Sequence, residues 1–414
     1  MLSLRDFWRR HRRKIFVTAG VLGGGYLLYK LYDAKRRVAD LERQQREHDE
    51  SIKAQMQAHF ENVQRIADVT TLPHAINYLN CRIAEELDLL QLTEKLMRGK
   101  EHPSSLSPSE KLELWDRLKI LSFTRMVVSL WAVTMLSLYI RVQVNILGRH
   151  LYIDTARSLG SSFLAVRCSK SFHAELKIAD NILRIFDPTA WQSNELIDKE
   201  DADPIDRDDE QKFLASVDFL ANYGIQTLIS NLQVAATEVL KGTCLVVLAD
   251  SPFKHQKQLR DIFNTAVLHE TVMQIIEMFM STGSPHQWVD FLMPGDARLY
   301  QLATASSPDN IPLDVSKFDQ LMVETRAVLS SAEYRSVVEI SLKAAVDALV
   351  DEMGVQSGGS LVSGMPLAKL VPRIAQIGPC LLDEPSKNRF IQTIRSIQEV
   401  EIFFTLLYAN MSTS

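Results

Sequence analysis

The residues able to do covalent chemistry lie scattered along this chain of 414 residues. No GxxxxGK[ST], GxGxxG, GxSxG or HExxH pattern occurs. His269-Glu270 comes nearest to a zinc helix, but it lacks the second histidine one turn on that would complete a pair of ligands. Gly358-Gly359-Ser360 resembles a phosphate loop in composition only; no lysine follows it, and it reads as a flexible linker. Carboxylates pair up across an acidic surface, with none isolated in apolar surroundings. The sequence therefore predicts no catalytic residue, no metal site and no cofactor, and favours a binding or scaffold protein over an enzyme.

The chemistry that remains is recognition. In KLELWDRLKILSFTR, residues 111–125, Trp115 stands between Lys111 and Lys119, one helical turn to either side. Ser107-Pro108-Ser109-Glu110 forms a capping box, with Ser107 as N-cap, Pro108 at N1 and Glu110 at N3, so a helix starts just before this stretch. At 100° per residue Leu114, Leu118 and Leu121 share one stripe, which should face the core. Leu112 and Phe123 lie nearly opposite, and Trp115 falls between, about 60° from Leu118. The helix thus has more apolar surface than one core contact needs. In one account neighbouring helices cover both faces and Trp115 is core. In the other, Trp115 anchors a shallow groove with two lysines on its rim, which would take an amphipathic helix with acidic flanks.

The elements that would position such a site begin with a basic head. Residues 1–46 hold 12 basic side chains against 4 acidic, so the remainder carries −13 of an overall −5. A basic head on an acidic body argues against nucleic acid and for a membrane at the N-terminus. After a basic tail, 1–14, residues 15–32 read IFVTAGVLGGGYLLYKLY; the uncharged part, Ile15 to Tyr29, is 15 residues long, and snorkelling of Lys30 extends it. Tyr26, Tyr29 and Tyr32 fit an interfacial belt, and Gly20 and Gly24 give a weak GxxxG spacing. No signal-cleavage site follows, and Thr18 alone is polar within the run, so it reads as a single-pass anchor touching the lipid bilayer. Basic clusters on both flanks leave its orientation open. Residues 33–51 read as a charged linker helix.

Residues 52–414 read as an all-α multi-helix bundle. Helical spacing runs through 74–98, 109–149, 211–241, 255–282, 314–353 and 387–410, and a first body helix begins near Ile52. TCLVVLAD, 243–250, is the best strand candidate. Breaks fall at 98–109, 194–210, 281–287, 293–298, 306–312 and 354–366. The 194–210 stretch holds nine Asp or Glu residues and reads as a solvated loop. MVVSLWAVTMLSLYI, 126–140, is long enough to suggest a second membrane pass. Its Ser129, Thr134 and Ser137, and its continuity with a charged amphipathic segment, make a buried core helix the better reading. Cys81, Cys168, Cys244 and Cys380 are far apart, as expected in a reducing compartment.

LELWDRLKILSFTR (112–125), an apolar run and RVQVNILGRHLYID (141–154) together resemble the peroxin-3 family of peroxisome biogenesis factors, in its plant form. VLGGGYLLYK (21–30), HFENVQR (59–65), ETRAVL (324–329) and PLAKLVP (366–372) match in the same order. The resemblance implies a single-pass peroxisomal membrane protein with its N-terminus in the matrix and an all-helical body in the cytosol. It implies that the body docks an amphipathic helix of peroxin-19, the soluble chaperone of newly made peroxisomal membrane proteins. No nucleic acid or small-molecule substrate is implied. Residue by residue, the family's docking tryptophan falls on Trp115, its lysine on Lys111 and the leucine before the loop on Leu96; Leu112, Leu118 and Lys119 continue that surface. Two departures stand out: the loop 98–109 is longer than in the animal proteins, and 155–215 is expanded and acidic. The reading that competes with a receptor is a membrane tether whose acidic body scaffolds other proteins.

Overall fold

The computed structural model describes residues 57–101, 107–160, 207–242, 257–283, 286–295, 317–385 and 387–409, together with single positions between 35 and 54. The predicted anchor 15–32, most of the acidic stretch and the strand candidate 243–250 lie outside the described residues. The chain divides into two units, Met1–His59 and Phe60–Ser414. In the first, the described positions from 35 to 58 are helical and exposed, and Arg43 Nε donates to Glu47 Oε1 at 3.1 Å.

The second unit is a helix bundle. A π-helical turn, Ala67–Thr71, leads into α1 (Leu72–Glu86), followed by α2 (Leu90–Glu101) and the long α3 (Pro108–Gly160). The chain continues through α4 (Arg207–Ala215), a 3-10 turn (Ser216–Asp218), a π-helical turn (Leu220–Gly224), α5 (Ile225–Lys241), α6 (Thr265–Ser281) and α7 (Val289–Leu292). The remaining helices are α8 (Lys317–Leu329), α9 (Ala332–Gln356), α10 (Ser360–Ser363), α11 (Leu367–Leu381), α12 (Arg389–Arg395) and α13 (Gln398–Ala409). Among the described residues the strands are two residues each, Ile262–Phe263 paired antiparallel with Met365–Pro366.

Helix α3 is the axis of the bundle, with α1, α2, α5, α8, α9, α11 and α13 packed around it. It is long and apolar enough to cross a membrane, yet its apolar stretch is wholly buried, as the core reading of 126–140 expects. Three of its buried hydroxyls bond to the helix's own carbonyls, while Ser122 Oγ and Ser129 Oγ have no hydrogen-bond partner among the described residues. Thr124 Oγ1 donates to Ile120 O at 2.9 Å, Thr134 Oγ1 to Leu130 O at 2.8 Å and Ser137 Oγ to Thr134 O at 2.9 Å. Trp131 sits edge-on to Phe279 and Phe291, with ring centroids 5.6 and 6.2 Å away. Farther along, buried Arg141 lies 5.7 Å over the Phe404 ring and 3.7 Å from Asp68, which also meets Arg395 at 2.9 Å. Burial raises the Asp68 carboxyl above its usual range against the pull of both arginines.

Several predicted runs are divided by the structure. The run 74–98 breaks at Leu87–Leu89 into α1 and α2, and 314–353 breaks at Ser330 and Ser331 before α9, where Ser331 Oγ caps Tyr334 N at 3.1 Å. The run 211–241 is interrupted by the 3-10 and π-helical turns, and 255–282 becomes helical only from Thr265. Residues 207–210, read as loop, form the first turn of α4, where Asp208, Asp209 and Glu210 face the positive end of its dipole. Gly358 and Gly359, read as a flexible linker, form an ordered turn with φ of 59° and 80° between α9 and α10. Helix α11 is absent from the predicted runs because Pro372 and Pro379 interrupt it. It forms because Leu367, Leu370, Val371, Ile374, Ile377 and Leu381 are all buried. At about 1.5–3 kcal/mol per buried side chain, that outweighs roughly 3 kcal/mol per interior proline.

Candidate docking surface

The expected site residues lie on α2 and on the first turns of α3, two helices that pack against each other. Local chemistry starts both helices. Asp88 Oδ1 accepts from Leu90 N at 2.8 Å at the head of α2. At the head of α3 the capping box closes in both directions: Glu110 N donates to Ser107 Oγ at 3.2 Å, and Ser107 N to Glu110 Oε2 at 2.7 Å. Those bonds from Ser107 hold the Glu110 carboxyl below its usual range.

From that cap α3 runs from solvent into the core. Along its first turns, Leu112 is 58% exposed, Trp115 is half-buried, Leu118 is buried and Ser122 is fully enclosed. Trp115 stands where the helix passes from surface to core. Lys111 is half-buried one turn before it, and Leu114 and Leu121 of the predicted core stripe are also half-buried. Leu96 is half-buried on α2, so Leu96, Lys111, Leu112 and Trp115 all retain accessible surface on this helix pair.

Two expected contact residues are placed elsewhere. Leu118 belongs to the core and offers no outer surface. Lys119, expected on the rim, is 1% exposed; its Nζ donates to Asp116 Oδ1 at 3.0 Å and to the backbone oxygen of Lys257 at 2.8 Å. The reason is the approach of the 257–261 segment, which covers that side of the helix and supplies the acceptor. The rim therefore keeps Lys111 of the two flanking lysines. Phe123, opposite the leucine stripe, is also buried, with its ring centroid 6.5 Å from that of Phe263.

The structure adds residues that the sequence reading passed over. Leu90 and Met97 on α2 are 79% and 58% exposed, while Leu87, Leu89 and Leu92 are buried. A seven-residue spacing returns a helix to nearly the same face, so Leu90 and Met97 in LQLTEKLMRGKE carried a legible signal for an apolar outer edge. Exposed Glu94 and Arg98 pair on the same helix at 2.6 Å. Large exposed apolar side chains on both helices, Leu90 and Met97 on α2 and Leu112 on α3, suit protein recognition.

Among the described residues no group of three or more His, Cys, Asp or Glu side chains could hold a metal ion. His269 Nε2 instead meets Asp347 Oδ1 at 3.0 Å. A cavity of about 160 Å³ opens between α5 and α6 and is lined largely by Val234, Met278, Phe279 and Trp288, with Glu238 its one carboxylate.

The Peroxin-3 family profile matches residues 6–110 and 98–410. Peroxisome biogenesis protein 3-2 of Arabidopsis thaliana is 54% identical over 414 residues, covering 99% of both chains. Peroxisome biogenesis protein 3-1 of the same plant is 52% identical, again over 99% of each. The peroxisomal biogenesis factor 3 of Homo sapiens is 28% identical over 99% of this chain and 98% of its own.

Proposed function

Because the chain belongs to the peroxin-3 family of peroxisome biogenesis factors, we propose that it is a docking receptor in the peroxisomal membrane. Residues 15–32 anchor it in a single pass, with the N-terminus in the matrix and the helical body in the cytosol. The body binds the amphipathic helix of the soluble chaperone peroxin-19, and membrane-protein cargo is handed over beside the bilayer. It acts by binding and not by catalysis.

The observation that carries this reading is the half-buried position of Trp115 on a helix that also exposes Leu112 and that packs against α2, where Leu90 and Met97 are exposed. A tryptophan whose remaining surface is desolvated by a partner supplies about 2–4 kcal/mol of binding. Lys111 beside it supplies a cation to an acidic flank.

The test uses the full chain in detergent micelles and purified plant peroxin-19 in a calorimeter. Leu96→Ala, Leu112→Glu and Trp115→Ala are each expected to weaken binding while the melting temperature holds. Leu118→Ala is expected to lower the melting temperature first. Unchanged affinity in all three surface variants would sink the docking reading and return the chain to the tether alternative.

A further inference from the structure

From Ser107 to Arg117 every side chain of α3 and its cap is exposed or half-buried; from Leu118 to Ile120 every one is buried. The helix therefore enters the body at Lys119, and Lys119 is the residue that bonds there to something outside the helix. A buried ammonium carries a desolvation penalty of several kcal/mol. A methionine would fill nearly the same space without it. What the ammonium adds is direction. It reaches one turn back to Asp116, the neighbour of Trp115, and across to Lys257 O, 138 residues away in sequence.

The far acceptor is itself fixed. Ala368 N donates to Leu259 O and Leu367 N to Asp261 O, both at 2.9 Å, which ties the 257–261 segment to the head of α11. Phe263 then rests on Phe123 of α3, one turn beyond Lys119. The ammonium thus joins the projecting turn that carries Trp115 to a frame made by two distant parts of the chain.

We propose that Lys119 is a positioning residue for the docking surface. Through Asp116 and Lys257 O it sets the rotation and tilt of the α3 turn that presents Trp115. The inference rests on the reading of Trp115 as partner anchor. Lys119 itself touches no partner, so its loss loosens the site without removing a contact.

The experiment is a double-mutant cycle in the full chain with purified plant peroxin-19, joined to hydrogen exchange of the unbound chain. Lys119→Met is expected to weaken binding about tenfold when Trp115 is present and not at all in the Trp115→Ala background, a coupling within the usual range for neighbouring residues. Amides 112–118 should exchange faster in Lys119→Met, with the melting temperature within a few degrees of the parent. Equal losses of affinity in both backgrounds would overturn the proposal, as would undiminished affinity in a chain that Trp115→Ala does impair. If Lys119→Met does not fold, half-exposed Asp116→Asn takes its place: faster exchange over the same amides supports the proposal, and unchanged exchange overturns it. A Trp115→Ala variant that binds normally refutes the docking reading itself, and this inference with it.

Discussion

Trp115 and Trp131 stand on the same helix, and the ring of one is enclosed while the other keeps an open side. Trp131 is fully buried against Phe279 and Phe291, and its Nε1 donates to Met280 Sδ at 3.4 Å. Trp115 is half-buried one turn before the helix enters the body. The two alanine variants should separate accordingly. Trp131→Ala leaves a core cavity and should cost about 3–5 kcal/mol of stability. Trp115→Ala should leave the thermal melt near that of the parent and lose about 2–4 kcal/mol of partner binding. Paired melts and calorimetric titrations on the same preparations check this; equal melting losses would make Trp115 a core residue.

With Lys119 buried, steering of an acidic partner falls to Lys111. Lys111→Glu should slow association several-fold at low salt and leave dissociation nearly unchanged, because rim charges act on encounter. The difference should shrink at high salt, where the screening length falls to about 3 Å. Stopped-flow association at two ionic strengths measures both effects; a slowed association that ignores salt would contradict the assignment.

The π-helical turn Leu220–Gly224 lies against α7 so closely that a Cβ on Gly224 would stand 2.2 Å from Phe291 O. The obstacle is backbone, so it cannot rotate away. Gly224→Ala should destabilise by about 1–3 kcal/mol, the usual cost of forcing atoms into a packed interior. Denaturant unfolding should show a lower midpoint with an unaltered slope. A midpoint equal to the parent's would mean that the contact relaxes freely.

Acid sensitivity is expected from His59, whose burial pushes the imidazole down to about 4 from 6.5. The folded chain holds this ring neutral, while the unfolded chain protonates it near pH 6.5. Its contribution is therefore intact above pH 6.5 and is lost as pH falls towards 4, by roughly 3 kcal/mol at about 1.4 kcal/mol per pH unit. His59→Gln should flatten the stability profile in that window relative to the parent. Parallel profiles for the two chains would show that His59 does not carry the slope.

How much of this was legible before folding depends on how local each cause is. The start of α3 could be read from four residues, because Ser107 and Glu110 satisfy each other's backbone without help from the rest of the chain. The core identity of 126–140 could be read too, since the run continues directly from a charged amphipathic segment, and Thr134 and Ser137 bond to their own helix without an outside partner. The arrangement of leucines and Trp115 around the helix follows from its pitch. Periodicity says which residues share a face, but not which of two apolar faces will be covered.

That second question belonged to the tertiary structure. Lys111 and Lys119 look equivalent in KLELWDRLKILSFTR, each one turn from Trp115. Only the arrival of the 257–261 segment separates them, placing the Lys257 carbonyl at one ammonium and leaving the other on the rim. Leu118 and Leu112 are sorted by the same event, as α3 passes into a body built from chain far away in sequence. The sequence by itself determined that this helix carries a tryptophan between two apolar faces, with a lysine one turn to either side. Which side of that tryptophan stays open was decided by long-range packing, because burial is a property of what comes to lie against a residue.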